Sequence, residues 1–261
     1  MCNIYKICLV QADIDCKNIN KNLQNYLSLL AQLKDKTDLI IFPEMFSCGF
    51  SEDLPSIVAD IQAESFAFLQ EISQTYECSV LASMPVQANN QLFNRLFWID
   101  KKEILLEYNK NHLFFGIEKQ YFKKGSARKI LRHKNWGFLP LTCYDMRFPK
   151  WCRNATDFQS QKLLYDCLIF STNFPAARSQ VFDILSSARA IENQSFVVSV
   201  NRIGLDGFGV AHSGGSKIID PSGRILAQLP KNQQGILEYN LDKSHLERFR
   251  QHIPIYKDWD N

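Results

Sequence analysis

The chain has 261 residues, 46% of them hydrophobic, and a formal net charge of +3. That length supports one large domain with a real core and is short for two, and the apolar content excludes a disordered chain. The charge is nearly balanced, and the short clusters Lys123-Lys124 and Arg128-Lys129 read as solvated faces, so no nucleic-acid partner is expected.

In chain order, Ile7-Cys8-Leu9-Val10 is a short buried strand. Ile19, Leu23, Tyr26, Leu27, Leu30 and Leu33 recur at helical spacing. Asp38 to Phe42 is a second buried strand, stopped by Pro43. Ala63, Phe66, Leu69, Ile72 and Tyr76 mark a second amphipathic helix, and Ser79 to Ala82 a third strand. Leu92 to Ile99 and Ile104 to Tyr108 form a hairpin around Asp100-Lys101-Lys102. Gly137 to Thr142 leads to Cys143, and Cys167 to Ser171 is another buried strand. Val181, Ile184, Leu185, Ala188 and Ile191 form a helical stripe ahead of the strand Phe196 to Val200. A glycine-rich loop spans Gly204 to Gly215, and strands then pair around Pro221-Ser222-Gly223. Ile236 to Leu241 is the last strand, and Asp242 can N-cap a final helix. Early βαβ alternation followed by hairpins implies a mixed sheet, or two sheets, with helices outside in a single domain over 1–261.

Met1 to Ile7 lacks a basic segment followed by a long apolar run, so no signal peptide is expected. No stretch nears the ~18 apolar residues that cross a bilayer, so no membrane partner is expected. The eight cysteines (2, 8, 16, 48, 78, 143, 152, 167) contain no C-x-x-C, which argues against a zinc ribbon or a thioredoxin-type motif. Several lie inside apolar runs, as buried free thiols do, which implies a reducing, cytoplasmic setting.

Three reactive residues each follow an apolar run: Glu44 after Ile40-Ile41-Phe42-Pro43, Lys110 after Leu105 to Asn109, and Cys143 after Leu139 to Thr142. If their strands lie side by side in one sense, they converge at one sheet edge, where α/β folds bind ligands. A thiolate attacks a carbonyl carbon, an ammonium lowers the thiol pKa and stabilises an oxyanion, and a carboxylate moves the protons. The set is complete without metal or cofactor. Alone, each residue also fits a solvated turn or core packing. His112 is the competing base, but the papain-type sequence around the cysteine is absent, and His112 is expected to order the loop after Lys110.

Phe42-Pro43-Glu44, Tyr108-Asn109-Lys110-Asn111-His112 and Cys143-Tyr144-Asp145-Met146-Arg147-Phe148-Pro149 resemble the three signature segments of the nitrilase superfamily, the carbon–nitrogen hydrolases. Ala188 to Gln194 and Asp220-Pro221-Ser222-Gly223 resemble further blocks of it, so the likeness runs over nearly the whole chain. The resemblance implies a four-layer α-β-β-α sandwich and a homodimer, with the tail, about 250–261, at the interface. It implies that Glu44 is the general base, Lys110 the lysine and Cys143 the nucleophile. Glu118 would orient the lysine or substrate, unless it pairs with Lys119 or Lys123. The backbone N–H of Tyr144 would share the oxyanion with Lys110.

Finer likeness is to the omega-amidase branch, which deaminates 2-oxoglutaramate and 2-oxosuccinamate. It is carried by Thr142 to Asn154, Thr172 to Arg178 and Asn201 to Gly207. Bacterial members often carry Trp where Phe174 stands. Arg147 would grip a distal substrate carboxylate, or else pair with Asp145 or Glu192. Asn173 and Phe174 would line the same edge, or else pack the loop. Another amidase or a nitrilase is the runner-up, since the same three residues serve both; a non-catalytic scaffold should have lost one of them.

Overall fold

The early strand–helix alternation builds one sheet and the later strands build a second. The computed structural model describes residues 3–259. First come β1 (Ile4–Gln11), α1 (Ile19–Leu30), β2 (Leu39–Ile41), α2 (Leu54–Thr75), β3 (Ser79–Ala88), β4 (Gln91–Asp100), β5 (Glu103–Asn109) and the short α3 (Ile117–Tyr121). Then follow β6 (Leu131–His133), β7 (Trp136–Thr142), α4 (Pro149–Cys152), β8 (Cys167–Thr172), α5 (Ser179–Asn193) and β9 (Phe196–Asn201). The chain ends with β10 (Ile203–Leu205), β11 (Ala211–Ser213), β12 (Lys217–Ile219), β13 (Ile225–Gln228), β14 (Gly235–Asp242) and α6 (Lys243–His252).

One six-stranded sheet has the order β14-β1-β2-β3-β4-β5 and the other β13-β12-β9-β8-β7-β6. Each is parallel at its centre, through β1-β2-β3 and β7-β8-β9, and antiparallel at its edges. Alternate residues of the first sheet face different layers, as the pleat requires. Ile7, Leu9, Leu39, Ile41 and Leu81 share a buried layer with Phe138, Cys167, Ile169 and Val198 of the second sheet. Cys8, Val10, Ile40 and Val80 instead meet Leu23, Tyr26, Leu69 and Ile72 of α1 and α2. Helix α5 covers the outer face of the second sheet through Phe182 and Ala190. The result is the four-layer α-β-β-α sandwich.

Some elements differ from expectation. Helix α2 begins at Leu54, well before Ala63. Pro55 is tolerated in a first turn, and Leu54, Val58 and Ile61 pack on Met45, Cys48 and Phe122 in a separate cluster. Strand β3 runs on to Ala88 and turns into β4 through Asn89-Asn90, whose φ values of 50° and 58° suit a tight hairpin. Strand β6 is an unforeseen three-residue edge, and the expected glycine-rich loop holds the β10–β11 hairpin. Asp242 does cap α6, accepting from Ser244 N at 2.8 Å. Among the described residues the seven cysteines are all free, and no helix is long and apolar enough to cross a membrane; Cys2 lies outside them.

Candidate active site

The strand-end residues converge, but across two sheets rather than along one edge. Glu44 and Lys110 follow β2 and β5 of the first sheet, with β3 and β4 between them, while Cys143 follows β7 of the second. Facing sheets bring them together because the parallel strands of both end on the same side. There the sheets are stitched: Glu44 N donates to Thr172 O at 3.2 Å, and Ser171 Oγ donates to Phe42 O at 2.9 Å. Lys110 N donates to Asn94 O of β4 at 2.9 Å. Lys110 O accepts from Gly125, where any Cβ would lie 2.1 Å from Asn109 O.

Cys143 opens a 3-10 turn with φ of 38°, a left-handed conformation that a side chain tolerates only under constraint. Asp145 supplies that constraint. Its buried carboxylate accepts from Tyr108 Oη at 2.7 Å, Thr142 N at 3.2 Å and His112 N at 3.1 Å, and lies 2.7 Å from His112 Nδ1. Arg189 Nε ties the same turn down by donating to Met146 O at 2.9 Å. His112, in the loop after Lys110, stacks flat on Phe148 at 3.6 Å and is committed to Asp145, so it ties that loop to the Cys143 turn.

Below the thiol lies a buried charge cluster. Lys110 Nζ donates to Glu44 Oε1 at 2.7 Å and to both oxygens of Glu118 at 2.8 and 2.7 Å. Glu118 thus pairs with Lys110, not with Lys119 or Lys123. It accepts further bonds from Asn94 Nδ2 at 3.0 Å and Phe114 N at 2.8 Å, so each of its oxygens is engaged twice. Glu44 receives Lys110 and Asn94 on Oε1 alone, which leaves Oε2 without a donor. Burial, with help from Glu118, raises the Glu44 pKa although Lys110 and Asn94 oppose it. Lys110 is held above the usual lysine range by Glu118, Glu44 and Cys143, which outweigh its burial. The Cys143 thiol is pushed well up by burial and by Glu44; Lys110 and the Asn173 backbone N–H only moderate this. The lowering expected of the lysine is present but outweighed by burial and Glu44, which favours the neutral thiol at rest.

The cluster floors a cavity of about 270 Å³. Tyr144, Phe114 and Phe174 form its walls, with Phe115, Phe208 and Val210 exposed at the mouth. Asn173 is only 7% exposed, yet both polar atoms of its side chain lack a partner. Buried amides are normally paired, so this one is set to meet a ligand. Arg147 pairs with neither Asp145 nor Glu192, which bond His112 and Arg189 instead, and it lines the cavity exposed. Arg178, half-buried, also lines it, 4.6 Å over the Phe114 ring and, among the described residues, without a carboxylate. His212 borders the same space; burial and Arg202 push its pKa down to about 4, so it is neutral. Among the described residues no three His, Cys, Asp or Glu side chains are grouped to hold a metal.

Sequence reasoning missed Asn94 and Arg178. The first had a readable signal: it shares the inward parity of Leu96 and Trp98 on β4, where a polar residue is out of place.

The carbon–nitrogen hydrolase family profile matches residues 6–251. The chain is 33% identical to the omega-amidase YafV of Escherichia coli K12, over 98% of this chain and 96% of that protein. It is 28% identical to the 2-oxoglutaramate amidase of Bacillus subtilis, over 97% of each. A solved structure of XC1258 from Xanthomonas campestris, a CN-hydrolase superfamily protein with an arsenic adduct in its active site, superposes with a TM-score of 0.94 at 31% identity. It covers 100% of this chain and 98% of that one.

Proposed function

The chain belongs to the carbon–nitrogen hydrolase family, and from that premise we propose that it is an omega-amidase. It would hydrolyse the terminal amide of a small 2-oxo acid amide, such as 2-oxoglutaramate or 2-oxosuccinamate, to the dicarboxylate and ammonia. The observation that carries the chemistry is the unequal treatment of two buried carboxylates: Glu118 is saturated with donors, while Glu44 keeps one oxygen free beside a neutral thiol.

Glu44 takes the Cys143 proton as sulfur attacks the amide carbon. The carbonyl oxygen becomes an oxyanion, held by the Lys110 ammonium and the Tyr144 N–H. The C–N bond breaks, and Glu44 returns the proton to the departing ammonia. Water then gives a proton to Glu44 and attacks the thioester; the C–S bond breaks, and the thiol regains its proton. Lys110 acts as an electrostatic stabiliser, since its raised pKa keeps it charged.

The 2-oxo acid end rests on Arg147, Arg178 and Asn173, whose side chains line the cavity with no acid or hydrogen-bond partner among the described residues for the two arginine charges and the Asn173 amide. The names of the two bacterial relatives support the same substrate class. Ammonia release across 2-oxoglutaramate, glutamine, asparagine, aliphatic amides and a nitrile tests this. Preference for the 2-oxo amides is expected, and preference for any other member moves the assignment to another amidase or a nitrilase.

The homodimer belongs to the same proposal. Helix α5 exposes Ile184 at 59% and Ile191 at 48%, and Ile253 and Ile255 lie exposed in the tail. The described tail, to Trp259, docks on its own chain: Gln194 Nε2 bonds Ile253 O, and Arg153 stacks 4.0 Å over the Trp259 ring. Light scattering at micromolar concentration should show a dimer; monomer alone removes the idea.

A further inference from the structure

Two acids against one ammonium leave the floor of the cavity with surplus negative charge when both are ionised. Buried like charges favour a proton on one of them. A protonated Glu44 could not accept the thiol proton, so the site needs a device that holds it ionised.

Asn94 has the required geometry. Its Nδ2 donates to Glu44 Oε1 at 2.8 Å and to Glu118 Oε1 at 3.0 Å, which uses both amide hydrogens. Its backbone carbonyl accepts from Lys110 N at 2.9 Å. One residue therefore touches all three charged members. Its Oδ1 is buried and unpartnered, a loss that a purely structural strand position would avoid by carrying an apolar residue like Leu96 and Trp98. A flipped amide would point that oxygen at two carboxylates, so the orientation is fixed by charge.

We propose that Asn94 is a positioning residue that keeps Glu44 ionised as the base and, by sharing both carboxylates, lets Lys110 turn an N–H toward the oxyanion. This rests on reading Glu44 as the base. Glu44 is faced by Lys110 from the end of β5, Glu118 from α3 and Cys143 from the turn after β7. Farther out, Arg147, Arg178, Asp206 and His212 line the same cavity. The Asn94 bond is among the forces that pull the Glu44 pKa back against burial.

Asn94→Leu removes both donors at similar volume. With whichever amide the enzyme turns over fastest, the acid limb of kcat/KM should move up by about one pH unit, and kcat should fall more than KM changes. Asn94→Ser keeps one donor and should fall between wild type and the Leu variant; it carries the test if Leu prevents folding, which thermal unfolding will show. A rate lowered equally at every pH, with the acid limb in its wild-type place, overturns the proposal. Glu44→Gln isolates the premise. If it keeps the wild-type acid limb, Glu44 is not the base and both readings fall; if it loses that limb while the Asn94 variants do not move theirs, only the role of Asn94 falls.

Discussion

Two buried charge clusters lie at opposite ends of the second sheet's central strand, β8, whose six residues span about 20 Å. At its C-terminal end is Glu44–Lys110–Glu118. At its N-terminal end Asp166 accepts from Arg250 Nη1 at 2.8 Å, Lys243 Nζ at 3.0 Å and Gly137 N at 2.9 Å. Arg250 also donates from Nε to Gln194 O and from Nη2 to Tyr165 O, so this cluster pins α6 to the sheet. Burial alone does not distinguish them. The Asp166 cluster has two cations for one acid and no idle oxygen; despite burial, Arg250, the Gly137 N–H and Lys243 hold its pKa below the usual range. The Glu44 cluster has two acids for one cation and a free oxygen beside a cavity, and the Glu44 pKa is raised. A saturated cluster holds the fold together. An unsaturated one reserves its free valence for something outside the chain.

The largest expected effects cross this comparison. Cys143→Ala should abolish turnover and thioester formation, while Cys152→Ala, which alters a buried thiol that donates to Asp145 O and lies beside Arg189, should leave both largely intact. Near-normal rates in Cys143→Ala would sink the mechanism. Glu44→Gln should lower kcat by about 10²–10⁴-fold yet raise unfolding free energy at neutral pH by about 0.5–2 kcal/mol, because it removes surplus buried charge. Asp166→Asn should do the opposite, costing about 3–5 kcal/mol by stranding Lys243 and Arg250, with kcat per folded molecule unchanged. Denaturant titration beside initial rates reads both, and an Asp166→Asn enzyme that is stable but slow would dissolve the distinction.

Next in size is the response to pH. The folded pKa of Asp166 lies below its unfolded value, so its contribution to stability is complete above the unfolded pKa, about 3.9, and is lost as pH falls through the folded one. Glu44 has the reverse sign: its folded pKa is raised, so its contribution is complete below the unfolded pKa, about 4.3, and is lost as pH rises through the folded value. Unfolding free energy followed from pH 3 to 7 should therefore be flatter at the acid end in Asp166→Asn. It should be flatter toward neutral pH in Glu44→Gln. Identical curves in either variant would mean that the cluster concerned does not couple to folding.

How far the sequence could reach follows from the same physics. Strand ends were legible because Pro43 stops an apolar run and because polarity changes sharply at Cys143. Which sheet each strand joins was not, since local pattern carries no information about partners; hence Glu44, Lys110 and Cys143 were expected along one edge. The sandwich came from the resemblance, not from periodicity. The β10–β11 hairpin escaped notice because three-residue strands interrupted by glycine show no alternation. Asp166 and Arg250 look like ordinary surface charges in sequence, and only the fold, pairing residues 84 apart, makes them a clamp.

The smallest expected effects lie at the cavity mouth, where the comparison predicts its own extension. Arg147 and Arg178 are free positive valences facing the cavity, as Glu44 is a free negative one, so they too should be reserved for a ligand. They differ in how firmly they are held. Arg178 is half-buried and stacked on Phe114, whereas Arg147 is exposed and, among the described residues, touches no acid. A lysine replaces the charge but not the planar fork or the stacking. On a 2-oxo acid amide, Arg178→Lys should lower kcat/KM by about tenfold and Arg147→Lys by less, mostly through KM, because an exposed charge is screened by solvent. On an uncharged aliphatic amide both variants should match wild type. Equal losses on charged and uncharged amides would make these arginines structural, and free valence facing a cavity would no longer identify a ligand contact.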